Sequence, residues 1–127
     1  MKHILVVDDN KTNLMTAKAA LQEQYKVTAV LMGAQALKFL ESNTCDLILL
    51  DIDMPQMDGF EVLARIKEMQ LENEPPVLFL TANMEPAMLE QCITSGGMDV
   101  VLKPFVRKVL LSRISYILEL MEYRTGE

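Results

Sequence analysis

The chain lacks the residue patterns of disulfide-rich, zinc-binding and membrane-spanning proteins. Its 127 residues include only two cysteines, Cys45 and Cys92, with neither CxxC nor zinc-ligand spacing. We therefore predict two free thiols in a reducing cytoplasm. The longest apolar runs are of strand length, well short of the roughly 20 residues that a membrane span needs. The N-terminal residues also lack the pattern of a secretory signal peptide.

Positive charge is also scarce. Lysine and arginine number 12 against 18 acidic residues, which gives a net charge of −6. Because phosphate backbones attract basic surfaces, this balance argues against direct nucleic-acid binding. No GxGxxG motif or P-loop follows a strand-like run, so nothing supports a nucleotide site. The length predicts one domain that covers residues 1–127.

Apolar runs of strand length alternate with stretches of helical periodicity, which is typical of βαβ units and a parallel sheet. The runs are nearly continuous, as expected for strands that helices cover on both faces. We predict an α/β fold, a three-layer αβα sandwich with a five-stranded parallel sheet in the flavodoxin-like order 2-1-3-4-5. The predicted strands are Ile4–Val7, Lys26–Val30, Leu47–Leu50, Val77–Leu80 and Val100–Leu102. The predicted helices are Lys11–Gln22, one that follows Gly33, Phe60–Met69, Pro86–Thr94 and Val106–Tyr123.

The last predicted helix carries more apolar residues than one face can hold. We predict a core-facing stripe made of Val106, Val109, Leu110, Ile114, Ile117, Leu118 and Met121. Leu111 and Leu120 fall off this stripe. Together with the fourth helix and the fifth strand, we expect them to form a surface for a homodimer or another partner.

Polar side chains stand where the predicted strands end. Asp8 and Asp9 follow the first strand, Asp51 follows the third, Thr81 the fourth and Lys103 the fifth. In an open α/β sheet, ligands bind in the crevice beyond the carboxyl ends of the strands. Carboxylates bind hard divalent cations, whereas an ammonium and a hydroxyl suit a phosphoryl group. The layout therefore predicts a Mg²⁺-dependent phosphoryl-acceptor site.

These residues, in this order, resemble the receiver domain of bacterial two-component response regulators, including the chemotaxis regulators. The resemblance covers essentially the whole chain. The matching pieces are Asp8-Asp9, the segment LILLDIDMPQMDG around Asp51, Thr81-Ala82 and Lys103-Pro104.

The resemblance implies a role for each matching acidic residue. Asp51 is expected to be the phosphoacceptor. Asp9 and Asp51 are expected to bind Mg²⁺ (or Mn²⁺) directly, Asp8 through water, and Asp53 through its backbone carbonyl. The donor would be a phosphohistidine on a sensor histidine kinase or a phosphotransfer protein. Such a domain accepts one phosphoryl group and is not a turnover enzyme.

The resemblance also assigns roles to residues on the last two strands. Lys103 would contact the phosphoryl oxygens, and the Thr81 hydroxyl would move toward them. The Lys103-Pro104 peptide bond is expected to be cis, since proline greatly reduces the preference for trans. Asp53 and Asn83 stand at positions that tune hydrolysis of the acyl phosphate in this family.

One position departs from the family pattern. Receivers commonly carry tyrosine or phenylalanine three residues before the lysine of Lys-Pro, where this chain has Val100. The aromatic ring normally moves inward when the threonine moves. We therefore expect a smaller change between the fourth strand and the fourth helix on phosphorylation.

Other functions remain open from the sequence alone. The strand-ending DxD of Asp51 and Asp53 is also used by aspartate-nucleophile phosphohydrolases of the haloacid dehalogenase type, although their DxD lies on an early strand. A second alternative is a phosphorylation-independent binding module of the same fold. The chain carries no recognisable effector, so it is either a stand-alone phosphorelay protein or the first domain of a larger regulator.

Overall fold

The computed structural model describes residues 1–125, which form parallel strands that alternate with helices. The predicted single domain also included residues 126 and 127, which lie outside the described residues. The strands are β1 (His3–Val7), β2 (Lys26–Val30), β3 (Leu47–Asp51), β4 (Val77–Thr81) and β5 (Asp99–Leu102). The helices are α1 (Lys11–Leu21), α2 (Gly33–Ser42), α3 (Gly59–Glu68), α4 (Pro86–Thr94) and α5 (Arg107–Thr125). The strand order is β2-β1-β3-β4-β5, as predicted.

The sheet is buried on both faces. All residues of β3 and β4 are buried, as are the last four of β1. Alternate strand residues pack against α1 and α5 on one face, where Leu14 and Leu110 are buried. The other residues pack against α2, α3 and α4, where Ala36, Val62 and Cys92 are buried. Two-sided burial explains why the strands are apolar runs without alternation.

Side-chain caps start two helices close to the carboxyl edge of the sheet. Asn10 Oδ1 accepts a hydrogen bond from the backbone nitrogen of Asn13 at 2.9 Å and caps α1. Asp58 Oδ1 accepts one from the backbone nitrogen of Glu61 at 2.9 Å and caps α3. Each such cap stabilises a fold by about 1 kcal/mol. The caps fix the point at which the chain leaves the strand ends that carry the acidic residues.

The predicted core stripe of α5 is wrong at its first two positions. Val106 is 63% exposed and Val109 is 44% exposed. The helix begins at Arg107. Its core-facing side starts at Leu110 and continues through the later apolar residues of the stripe. The prediction for Leu111 is also wrong, because its side chain packs partly against that core.

The cysteines are free thiols, as predicted. Cys92 is buried and Cys45 is half-buried. Burial, reinforced by nearby Asp46, raises the pKa of the Cys45 thiol to about 12. Cys45 is therefore protonated and weakly nucleophilic at neutral pH. Among residues 1–125, no helix has the length and apolar character that a membrane crossing needs.

Candidate functional site

The strand register brings the predicted site residues to one edge of the sheet. Val7 of β1 is aligned with Leu50 of β3, so Asp8 and Asp51 follow side by side. Thr81 of β4 is aligned with Leu102 of β5, and the next residue is Lys103. The parallel sheet therefore places the acidic residues, the hydroxyl and the ammonium at the same carboxyl edge.

Three carboxylates form a compact cluster at that edge. Asp8, Asp9 and Asp51 each offer an oxygen, and these oxygens lie within 4.8 Å of one another. Asp8 and Asp51 are each 1% exposed, whereas Asp9 is exposed. Mg²⁺ prefers carboxylate, carbonyl and water oxygens and is usually bound by one or two carboxylates. The cluster has the donor set for such a cation, with Asp9 on its open side.

Lys103 extends into the acidic cluster from the end of β5. Its Nζ donates a hydrogen bond to Asp51 Oδ1 at 2.8 Å and lies 3.7 Å from Asp8 Oδ2. The backbone nitrogen of Lys103 donates to the Thr81 carbonyl oxygen at 2.8 Å, which attaches this segment to β4. The following peptide bond, Lys103-Pro104, is cis, as predicted.

The second carboxylate oxygen of Asp51 has no partner. Among the described residues, Asp51 Oδ2 is the one buried side-chain oxygen or nitrogen atom that makes no hydrogen bond. A buried acceptor left without a partner costs about 1–3 kcal/mol, and more when it is charged. Asp51 belongs to the three-carboxylate cluster, so a divalent cation bound there is one group that could satisfy this oxygen.

The charges in the cluster shift each other's protonation. Burial raises the pKa of Asp51; the hydrogen bond from Lys103 opposes this shift and the charge of Asp8 adds to it, giving a pKa of about 7. Burial by itself lowers the pKa of Lys103, but Asp51 and Asp8 outweigh burial and raise it above its ordinary value. Lys103 is therefore a permanent cation, and further positive charge near Asp51 would favour its ionised form.

Thr81 and Asp53 lie beside the cluster. Thr81 is buried, and its Oγ1 accepts a hydrogen bond from the Asn83 backbone nitrogen at 3.0 Å. It donates a long one of 3.4 Å to the Asn83 carbonyl oxygen. The backbone nitrogen of Asp53 donates to Asp51 Oδ1 at 3.3 Å, while the Asp53 side chain is exposed. The loop after β3 thus folds back onto the Asp51 carboxylate.

Gly59 is a site residue that the sequence did not reveal. A Cβ atom at this position would lie 2.7 Å from the Asp51 carbonyl oxygen and 2.9 Å from Ile52 Cα. The Gly59 backbone nitrogen donates to the Ile52 carbonyl oxygen at 2.9 Å. Asp-Gly is a common turn sequence, but the close approach of Gly59 to the Asp51 backbone depends on the folded chain.

Val100 occupies the family's aromatic position on β5. It is aligned with Phe79 of β4 and packs, half-buried, against the core on the α2–α3–α4 side. Phe79 itself is fully buried and its ring stacks at a tilt on Phe60. Val100 therefore fills this position with a short, branched side chain in contact with the core.

Comparisons with known proteins agree with this geometry. The model of the response regulator receiver domain family matches residues 4–115. The chain is 34% identical to "Response regulator SaeR" of Staphylococcus epidermidis over 95% of the chain and 52% of that protein. It is 37% identical to "Probable histidine kinase 6" of Oryza sativa subsp. japonica over 90% of the chain and 14% of that protein. The chain thus spans about half the length, or less, of these curated relatives.

Solved structures show the same fold. Chemotaxis protein CheY4 of Vibrio cholerae superposes with a TM-score of 0.86 at 27% identity, over 92% of this chain and 98% of that chain. The BeF3-activated DrrB receiver domain superposes with a TM-score of 0.83 at 31% identity, over 94% of this chain and 98% of that chain. On its sequence, its fold and the residues at the carboxyl edge of its sheet, this chain belongs to the response regulator receiver domain family of two-component signalling.

Proposed function

We propose that Asp51 accepts a phosphoryl group from a phosphohistidine of a sensor histidine kinase or phosphotransfer protein. One observation supports this assignment most strongly. Asp51 is buried, one of its oxygens is bound by Lys103, and the other has no partner among the described residues. A carboxylate in this state is positioned and still has an oxygen free to form a new bond.

The transfer step follows from the chemistry of the two groups. A carboxylate oxygen of Asp51 attacks the phosphorus in line and forms the new P–O bond as the P–N bond to the donor imidazole breaks. The electron pair of that bond leaves on the imidazole nitrogen. Lys103, 2.8 Å from Asp51 Oδ1, would also contact the oxygens of the incoming phosphoryl group. Phosphoryl transfer depends mainly on this positioning and on charge neutralisation.

The divalent cation in this proposal is Mg²⁺ or Mn²⁺. Asp9 and Asp51 would bind it directly, Asp8 through water, and Asp53 through its backbone carbonyl. When bound, it would neutralise negative charge on the phosphoryl oxygens and on the three carboxylates. The separation of at most 4.8 Å between the carboxylate oxygens supports this assignment.

Thr81 is proposed to respond to the phosphoryl group. Its hydroxyl donates only a 3.4 Å hydrogen bond to Asn83 and can exchange that weak bond for a shorter one to a phosphoryl oxygen. Asp53 and Asn83, at the mouth of the site, would then set the rate at which water reaches the acyl phosphate.

We also propose that the domain is a stoichiometric acceptor and not a turnover enzyme. The haloacid-dehalogenase alternative finds no support in the comparisons, which are with response regulators and kinase receiver domains. Sustained release of phosphate from a phosphoester would favour that alternative; a single phosphorylation per chain would favour the acceptor. A cytoplasmic location is part of the same proposal, and the two free thiols support it.

The proposed output surface is the face formed by α4, β5 and α5, used for a homodimer or another partner. Exposed apolar side chains support it, with Ile93 on α4, Leu102 on β5 and Val109 on α5. Light scattering with and without beryllofluoride tests the dimer. An unchanged monomer mass in both states would remove it from the proposal.

Acetyl phosphate tests the acceptor function without the kinase. The domain is incubated with acetyl phosphate and Mg²⁺, and its intact mass is recorded beside that of Asp51→Asn. We expect one added phosphoryl group in the wild-type chain, none in the variant and none after chelation of the metal. Absence of the added group, together with no binding of beryllofluoride, would contradict the proposal.

A further inference from the structure

A line of mostly apolar residues runs along α5, apart from its core-facing side, and all of its members are exposed except the half-buried Leu120. Its members are Val106, Val109, Arg113, Tyr116, Leu120 and Tyr123. Tyr116 is 59% exposed and Tyr123 is 88% exposed, whereas Leu110, Ile114 and Ile117 are buried against the sheet. The Leu110 backbone nitrogen donates to the Val106 carbonyl oxygen at 3.0 Å, so Val106 joins the first turn of the helix.

The spacing of this line is that of a heptad repeat. Successive members are separated alternately by three and four residues from Val106 to Tyr123. Such a repeat keeps one side of a helix facing a second helix, with the members at the a and d positions of the seam. The core-facing side of α5 already packs on the sheet. Packing within the domain therefore does not account for this second apolar line. We call the six residues the α5 seam.

The one charged member of the seam is neutralised within the chain. Arg113 Nη1 lies 2.5 Å from Asp99 Oδ2 of β5. When two seams pack together, the charge of each Arg113 is therefore already balanced by Asp99 of its own chain. The long hydrocarbon stem of arginine can still pack in an apolar contact while its head is held at the edge.

The charges that flank the seam suit a second copy in parallel orientation. With Val106 at position a, Glu119 falls at g and Arg124 at e of the next heptad. In a parallel helix pair, a g residue lies beside the e residue of the partner's following heptad. Within residues 1–125, neither Glu119 nor Arg124 forms an ion pair. An antiparallel pair would separate these two charges toward opposite ends.

We propose that two copies of this chain associate through parallel packing of their α5 seams, with Glu119 of each copy beside the partner's Arg124. The inference rests on the homodimer part of the proposed function and is independent of the phosphorylation of Asp51. A seam of about five helical turns buries less than the roughly 1,200 Å² of a standard stable interface, so the association is weak and concentration-dependent.

Cysteine cross-linking tests the parallel register. In the parallel pair, the two copies of Tyr116 face each other, while Ser115 on the same helix points away from the seam. Tyr116→Cys is compared with Ser115→Cys under mild oxidation. Both variants keep Cys45 and Cys92, so any cross-linking through those two thiols contributes equally to both rates. We expect disulfide-linked dimer to form about tenfold faster for Tyr116→Cys. Equal rates would overturn the parallel seam.

Charge reversal tests the flanking pairs. Sedimentation velocity over a concentration series is run on wild type, Glu119→Arg, Arg124→Glu and the double variant, with and without beryllofluoride. We expect each single reversal to weaken association about fivefold, since two symmetric exposed pairs are lost, and the double variant to restore it. Monomers at all concentrations in both states, or no restoration in the double variant, would overturn the proposal.

The two proposals can fail separately. The same four proteins are phosphorylated with acetyl phosphate and weighed, and all are expected to gain one phosphoryl group. Loss of dimer with normal phosphorylation would count against the seam alone, whereas loss of phosphorylation in the wild-type chain would count against Asp51.

Discussion

Lys103 binds one carboxylate oxygen of Asp51 and leaves the other without a partner. The Lys103 Nζ lies 2.8 Å from Asp51 Oδ1, and Oδ2 is buried with no hydrogen bond among the described residues. One ammonium therefore serves two buried carboxylates, those of Asp51 and Asp8. The site has a shortage of positive charge that a divalent cation can supply.

Mg²⁺ is expected to stabilise the domain against unfolding. A ligand that binds only the folded state adds roughly 1–3 kcal/mol at ten to one hundred times its dissociation constant. Asp9 is exposed, so Asp9→Asn removes one carboxylate of the cluster without disturbing the core. Urea denaturation with and without Mg²⁺ should show a smaller gain for this variant than for wild type.

Asp58→Asn is the matched control for that experiment. It makes the same chemical change at the cap of α3, where asparagine also caps well, outside the three-carboxylate cluster. Its gain from Mg²⁺ should equal that of wild type. Equal gains in Asp9→Asn and wild type would contradict the metal assignment.

The pH dependence of stability should reveal the buried Asp51 carboxyl in metal-free buffer. Burial raises its pKa from 3.8 to about 7 in the folded state. The folded chain therefore holds this proton between pH 4 and 7 while the unfolded chain has released it, so its contribution falls as pH rises through that window. In Asp51→Asn the side chain at this position cannot titrate, so the variant does not lose this contribution to stability as pH rises.

The measurement is the difference in unfolding free energy between Asp51→Asn and wild type from pH 4 to 8, with EDTA present. The difference should grow in favour of the variant as pH rises to about 7 and then stay level. A difference that is constant across this range would show that the Asp51 pKa is not raised.

Gly59→Ala should impair the site through its backbone. The new Cβ would lie 2.7 Å from the Asp51 carbonyl oxygen, where there is no flexible side chain to move away. We expect a loss of about 1–3 kcal/mol of stability, typical of overpacking, and slower phosphorylation by acetyl phosphate. Asp58→Ala, which removes the neighbouring cap, should cost about 1 kcal/mol and leave the phosphorylation rate near wild type. Equal rates in both variants would refute a positioning role for Gly59.

Val100 should limit the conformational change on activation. Its short side chain is half-buried against the core beside Phe79, so no aromatic ring is available to move inward behind Thr81. We expect amide shifts on addition of beryllofluoride to be confined to the loops around Asp51 and Thr81. Val100→Tyr should extend them into α4. A large, ordered displacement between β4 and α4 in the wild-type chain would contradict this expectation.

The strands, and the position of the proposed site residues at the strand ends, could be predicted because both depend on local sequence. Apolar runs of strand length defined the sheet, and its parallel order placed Asp51, Thr81 and Lys103 at one edge. Observed and predicted ends differ by one or two residues; β3 and β4, for example, include Asp51 and Thr81. Such differences are normal for element boundaries.

The orientation of α5 and the role of Gly59 could not be predicted in the same way. Apolar residues occupy two sides of α5, so periodicity alone could not decide whether Val109 or Leu111 faces the sheet. The contact of Gly59 with the Asp51 backbone joins two segments that meet only in the folded chain. Both depend on packing between elements.

Chemical mapping of the phosphorylated residue tests the central claim most directly. The domain is phosphorylated with acetyl phosphate and Mg²⁺, then treated with borohydride, which reduces an acyl phosphate to an alcohol, and its peptides are analysed by mass spectrometry. We predict that Asp51 alone becomes homoserine, and that the conversion is absent when the metal is chelated first. Conversion at Asp8, Asp9 or Asp53, with Asp51 intact, would contradict the assignment of Asp51 as the phosphoacceptor.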